Sequence, residues 1–335
     1  MDLPRRWTRV PLSLLSVWVL SGCHTTSPTA STGTSVDVTQ ATAASPALDG
    51  GTLEAGTVLQ FVSAETSTPA AGVDVAVGPN RHRTDGGGEI RLGAATALPA
   101  ALEASSGEYL LRETVIRSRD ELRYALWPRH SPTGLDEELT RRLVYTEATG
   151  GAPGALRLRR LSPGVARVSV IPSPGIERDV EAWRAHEEAA DALTRATNGA
   201  VTFVVEISAS SPIKVQTLVD ANDSAMGGHA ALAYRNIDGS QITGGRIVFI
   251  SIEVARMAAV VTHELGHTFG LEHSPDTNDL MNPIVSAPKG LSRRETLTMG
   301  LMLQRRPGNR FPDNDRDGAA AMGGKHTEVI ACAGR

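Results

Sequence analysis

Cysteine is scarce, with two residues, Cys23 and Cys332, in a chain of 335. That excludes a disulfide-stapled scaffold, so stability has to come from buried apolar side chains, and a chain of this length has room for two cores at about 100–200 residues per domain. Charge of one sign is lacking too: the net charge is -4 with 21% charged residues. This gives neither the basic footprint expected of a nucleic-acid partner nor the acidic excess of a disordered chain. Membrane-length hydrophobic runs are missing as well. The apolar stretch from Val10 to Leu20 falls short of the roughly 20 residues that span a bilayer. Preceded by Arg5, Arg6 and Arg9, it reads as a signal peptide over residues 1–22.

What the chain does have is the segment HELGHTFGLEHS, residues 263–274. Residues four apart on an α-helix lie on one face, so His263 and His267 can present both imidazoles to one metal ion. Glu264 sits on the same turn, close enough to act on a water at that ion without being a ligand. Gly270 is placed to end the helix in a conformation that a Cβ would disfavour. The chain then turns back and His273 supplies a third ligand. Three histidines leave a fourth position open, the arrangement of catalytic zinc rather than of a closed structural site.

HELGHTFGLEH followed by Met281 in DLMNP resembles the metzincin signature of zinc peptidases. Ser274 after the third histidine, Asp276 and the LMNP stretch are similar to the matrixin branch. The resemblance implies one catalytic Zn²⁺ held by His263, His267 and His273, with Glu264 as general base and Met281 as an apolar floor beneath the imidazoles. It implies a protein or peptide substrate bound as an added strand along a sheet edge near Gly228 to Tyr234, with the loop from Pro283 to Leu291 walling the first primed pocket. Matrixins often carry an inhibitory cysteine ahead of the site, yet no cysteine lies between Cys23 and His263. They also commonly hold a second zinc on three histidines and an aspartate, for which residues 208–250 offer only His229. The end of the leader, Leu20-Ser21-Gly22-Cys23, resembles a bacterial lipobox. That implies a lipid-anchored protein of the bacterial cell envelope, attached to the membrane through Cys23, and leaves Cys332 without an intrachain partner.

The expected fold class is α+β: a metzincin-like catalytic domain with a mixed sheet and three main helices, preceded by a small all-β sandwich. Residues 23–53 are rich in Thr, Ser, Ala, Pro and Gly and read as a tether. Residues 54–117 contain short strand-like runs, TVLQFV, GVDVAVG, GEIRLG and EYLLRETVI, separated by turn signals. They are similar to carboxypeptidase regulatory-like modules, with His82 in a solvated turn. Residues 118–164 form a connector that either packs Trp127 and Tyr145 on the catalytic domain, the simpler reading, or runs near the cleft as a residual pro-segment.

The catalytic domain is expected over 165–306. It has a helix from about Arg178 to Thr197 carrying a stripe of Val180, Trp183, Ala190, Leu193 and Thr197, with His186 packed or solvated. The next strand should alternate Val201, Phe203, Val205 and Ile207 on one face. The histidine helix should run from about Glu253 to Thr268, and a capping box of Ser292 and Glu295 should open the last helix, about Arg293 to Arg305. In the tail, residues 307–335, Asp313, Asp315 and Asp317 occupy the first ligand positions of a Ca²⁺ loop. Gly324 stands where the required acid would be, and the alternative is a solvated acidic turn. The rival to a peptidase is a surface-binding lipoprotein whose zinc domain is inactive. Retention of Glu264 speaks against it, because a degenerate site has no structural need of its base. A storage or sensor site is disfavoured by the open fourth position.

Overall fold

The computed structural model describes residues 51–132, 135–147, 156–223, 225, 229–284, 290–316 and 324–331. The leader, Cys23, most of the tether, the Gly150–Gly154 break, Gly228, Asp317 and Cys332 lie outside the described residues. So do residues 285–289 of the pocket-wall loop. Among the described residues no helix is long and apolar enough to cross a membrane.

The fold is α+β. Its first part is a β-sandwich of a three-stranded sheet, ordered Glu89–Arg91, Val58–Ser63, Arg123–Leu126, and a four-stranded sheet, ordered Asn80–Arg83, Asp74–Val77, Ala100–Ser105, Arg112–Ile116. Alternation puts Leu59 and Phe61 from one sheet, and Val75, Val77, Leu102 and Ile116 from the other, into one sealed core. Two expectations are corrected. The sandwich runs past residue 117, because Arg123–Leu126 pairs in parallel with Gln60–Ser63. His82 lies within a strand, opposite Val75, rather than in a turn.

The connector helix Glu137–Val144 is capped by Asp136, whose side chain accepts from the Leu139 amide at 2.7 Å. Leu139 and Leu143 join Trp127 and Tyr145 in the same hydrophobic core as the histidine helix, the packing that the sequence leads one to expect.

The second part of the fold is built on a seven-stranded mixed sheet. Its main order is Thr202–Val205, Arg167–Pro172, Lys214–Val219, Gln241–Phe249, Ala231–Asp238 and His326–Ala331. The pairings are parallel up to Gln241–Phe249 and antiparallel beyond it. One face carries the helix Val180–Ala196, with Asp179 as N-cap, and the histidine helix Ala258–Phe269. Ala182, Ala185, Ala189 and Ala190 are buried on the first helix, and such small side chains let a second helix approach closely.

Val180 departs from the expected stripe: it is 72% exposed, and the buried face turns on Ala182, Ala185 and His186 instead. His186 is packed, its Nδ1–H donating to the Ala182 carbonyl at 2.7 Å and its ring edge-on to Phe249. Ile207 is exposed and lies beyond the strand, which ends at Val205. The expected helix from Glu253 divides into a short turn, Ile252–Ala255, and the histidine helix proper. The final helix, Arg293–Leu303, opens on the expected capping box.

The tail corrects the calcium expectation. Asp313 is chelated by Arg305 through two 2.8 Å bonds and also accepts from Arg112 at 2.8 Å. Asp315 pairs with Arg112 at 3.2 Å and accepts from Asn309 at 2.7 Å. These two carboxylates therefore face guanidinium groups rather than a calcium ion. The network joins the sandwich strand Arg112–Ile116 to the chain that follows the last helix.

Candidate zinc centre

Gly270 ends the histidine helix at φ +124°, as the sequence requires. A Cβ there would stand 2.2 Å from the Arg159 carbonyl oxygen, so close approach as well as backbone conformation selects glycine. The return of the chain is fixed from the connector: the Glu272 amide donates to the Leu143 carbonyl at 2.8 Å. The next residue is His273.

His263, His267 and His273 bring one ring nitrogen each within 4.8 Å of one another, and among the described residues they form the group able to hold a metal. His263 donates its Nδ1–H to the Leu280 carbonyl at 2.7 Å, and His267 donates its own to the Leu271 carbonyl at 2.8 Å. This pairing assigns the tautomer and leaves the lone pair on each Nε2. Those two Nε2 atoms face each other at 3.0 Å. Two lone pairs so placed repel unless a cation lies between them, so the donor set fits zinc. Burial pushes His263 and His273 down to about 4 and His267 well below its usual range. All three are neutral near pH 7, the form in which imidazole binds metal.

Glu264 is buried on the same turn as His263. Met281 is fully buried beneath the helix. Its sulfur lies where a Cβ on Gly266 would stand, 2.7 Å away, so the absence of a side chain at Gly266 admits the methionine floor. Ser274 and Asp276 also find their purpose. The Ser274 amide donates to the Met281 carbonyl at 2.8 Å, the Ser274 hydroxyl donates to Asp279, and Arg294 binds both Asp276 and Asp279. Together they staple the return loop to the methionine turn.

One positioning residue is visible only in three dimensions. Glu295 closes the capping box, accepting from the Ser292 amide at 2.6 Å. The same carboxylate accepts from the Met281 amide at 2.6 Å and the Leu280 amide at 3.2 Å. Leu280 is the residue whose carbonyl orients His263. The capping box was legible in the sequence, but its second role over 14 and 15 residues had no sequence signal. Glu295→Gln replaces an acceptor oxygen by a donor facing backbone N–H groups, so zinc affinity is expected to fall about 10–100-fold. Competition with a calibrated chelator measures this, and affinity equal to the parent chain would show that the carboxylate does not hold the turn.

Residues 179–296 match the family model of the matrixins. Among solved structures, the chain is similar to high choriolytic enzyme 1, a hatching-enzyme zinc protease from the medaka fish Oryzias latipes, at 16% identity and a TM-score of 0.25. That match covers 38% of this chain and 55% of the medaka chain, so it spans little more than half of the protein it resembles. No curated protein matches the chain. Residues 179–296, the stretch similar to the matrixins, thus include the three-histidine cluster able to hold a metal.

Proposed function

We propose that this protein is a zinc-dependent endopeptidase that cuts proteins near a bacterial membrane surface, with Glu264 as its general base. The observation that carries the reading is the convergence of His263, His267 and His273 with Glu264 one residue from the first ligand. Zinc, when bound, supplies Lewis-acid chemistry, polarising the scissile carbonyl and making a water acidic enough to deprotonate near neutral pH. Glu264 takes a proton from the attacking water on its carboxylate and passes it to the leaving amine. The Leu280 and Leu271 carbonyls keep the His263 and His267 rings aimed throughout. The peptide is gripped through its main chain along the sheet edge, which supports cleavage with little dependence on sequence. The membrane address belongs to the same proposal and rests on the lipobox-like stretch at Cys23.

The test is to incubate the purified chain, lacking residues 1–23, with a denatured protein. One equivalent of zinc and cleavage that a chelator abolishes and added zinc restores are expected. Cleavage indifferent to chelation would sink the reading. Two bound ions would place a second metal site elsewhere in the chain.

A further inference from the structure

The edge strand Ala231–Asp238 is where the sequence resemblance seats the substrate, yet that edge is already paired. His326–Ala331 runs antiparallel along it, with Leu232 opposite Ala331, Tyr234 opposite Val329 and Ile237 opposite His326. An extended peptide docking by strand addition would need the same main-chain donors and acceptors. The added strand makes little use of side-chain packing. Ile330 is buried, Val329 is 50% exposed, and the other positions are half-buried or open. A segment with so little apolar burial sits at the low end of local stability.

What does hold it by side chain leads to the metal centre. Glu328 forms ion pairs with Arg159 and Arg235, both at 3.0 Å. The Arg235 guanidinium, itself buried, donates to Glu272 at 2.6 Å, and Glu272 immediately precedes His273. One arginine on the edge strand thus connects the last strand to the loop that presents the third zinc ligand. Arg235 projects to the face on which Ala231 and Ile237 share a core with Val261 and Leu265 of the histidine helix. The occupied edge is therefore the one bordering the histidine site.

We propose that His326–Ala331 is an autoinhibitory strand, an intramolecular occupant of the peptide-binding edge that a substrate must displace. The proposal rests on the peptidase reading of the histidine site. Tethering raises the strand's local concentration to the millimolar range, so it competes with free substrate without needing strong contacts.

Two experiments on the full chain test it. Glu328→Arg sets three guanidinium groups together and should release the strand, lowering KM about tenfold with kcat nearly unchanged. A synthetic peptide of the sequence HTEVIA should inhibit this variant competitively. The second readout does not need catalysis. In a Glu264→Ala chain, saturating HTEVIA peptide should speed amide hydrogen exchange at residues 326–331 while residues 232–237 stay protected. Protection retained at 326–331 under saturating peptide, or a KM unmoved by Glu328→Arg in a folded chain, overturns the proposal. If exchange shifts as expected but no variant cleaves any protein, the strand is displaceable and the peptidase reading is what fails.

Discussion

Glu264→Ala is expected to lower kcat/KM on a denatured protein by about a hundred- to ten-thousandfold, the range that a positioned general base contributes, with zinc still bound at one equivalent. The two halves of this expectation come from different parts of the geometry. The proposed metal would be held by ring nitrogens of His263, His267 and His273, and the first two rings are aimed by the Leu280 and Leu271 carbonyls. None of these groups is Glu264, so its removal leaves the donor set and its orientation intact. The proton acceptor, in contrast, has no substitute on that turn: its neighbours on the helix are Leu265 and His263, and the His263 imidazole belongs to the donor set. Glu264→Gln sharpens the experiment by keeping shape and polarity while removing basicity, and it should fall nearly as far. The loss should appear in kcat rather than KM, because the missing interaction develops only as the proton moves. Equal cleavage by the parent chain and Glu264→Gln, each saturated with zinc, would refute the assignment.

How much of this was legible in the sequence depends on the distance over which each contact acts. The three-histidine cluster and the turn at Gly270 were readable almost whole, since both are set by the three- and four-residue spacings of one helix and one turn. Met281 followed as a short-range return from the same element. Beyond that range the reading weakened. Helix faces were misjudged where alanine carries the burial, as on Val180–Ala196, because alanine contributes little to an apolar stripe yet permits the closest helix approach. The strand Arg123–Leu126 was assigned to a connector, since its pairing with Val58–Ser63 is parallel and distant in sequence. His326–Ala331 reads in the sequence as part of the tail, residues 307–335, because its stability comes from a ladder with Ala231–Asp238, and main-chain pairing leaves no mark on side-chain composition. The DNDRDG stretch misled for a related reason. Clustered aspartates suit a cation of either kind, and only the fold brings in Arg112, 201 residues from Asp313.

That arginine-aspartate network supplies the largest expected effect on stability. Asp313→Ala should destabilise the chain by about 3–5 kcal/mol, the cost of leaving buried charge without its partner. Arg112 and Arg305 are both almost fully buried, and in the variant Arg112 would keep Asp315 at 3.2 Å while Arg305 would lose both bonds to Asp313 and keep the neutral Ala125 carbonyl at 2.7 Å. Asn309 would lose an acceptor at 2.9 Å as well. The pair as such need not be a net gain over apolar packing, so a combined replacement of Arg112, Asp313 and Arg305 by well-fitting apolar side chains should recover much of the loss. The pH dependence has a definite sign. Burial would raise the Asp313 carboxyl, but Arg112 and Arg305 more than offset it and hold it below the usual carboxylate range. A depressed carboxyl contributes stability that is fully present above its unfolded value of about 3.9 and is lost as pH falls through the folded value. The gap in urea midpoint between the parent and Asp313→Ala should therefore be constant from neutral pH down to about pH 4 and close below that. A gap that stayed open in strong acid would mean that packing, and not the ionised carboxylate, joins the sandwich to the catalytic domain.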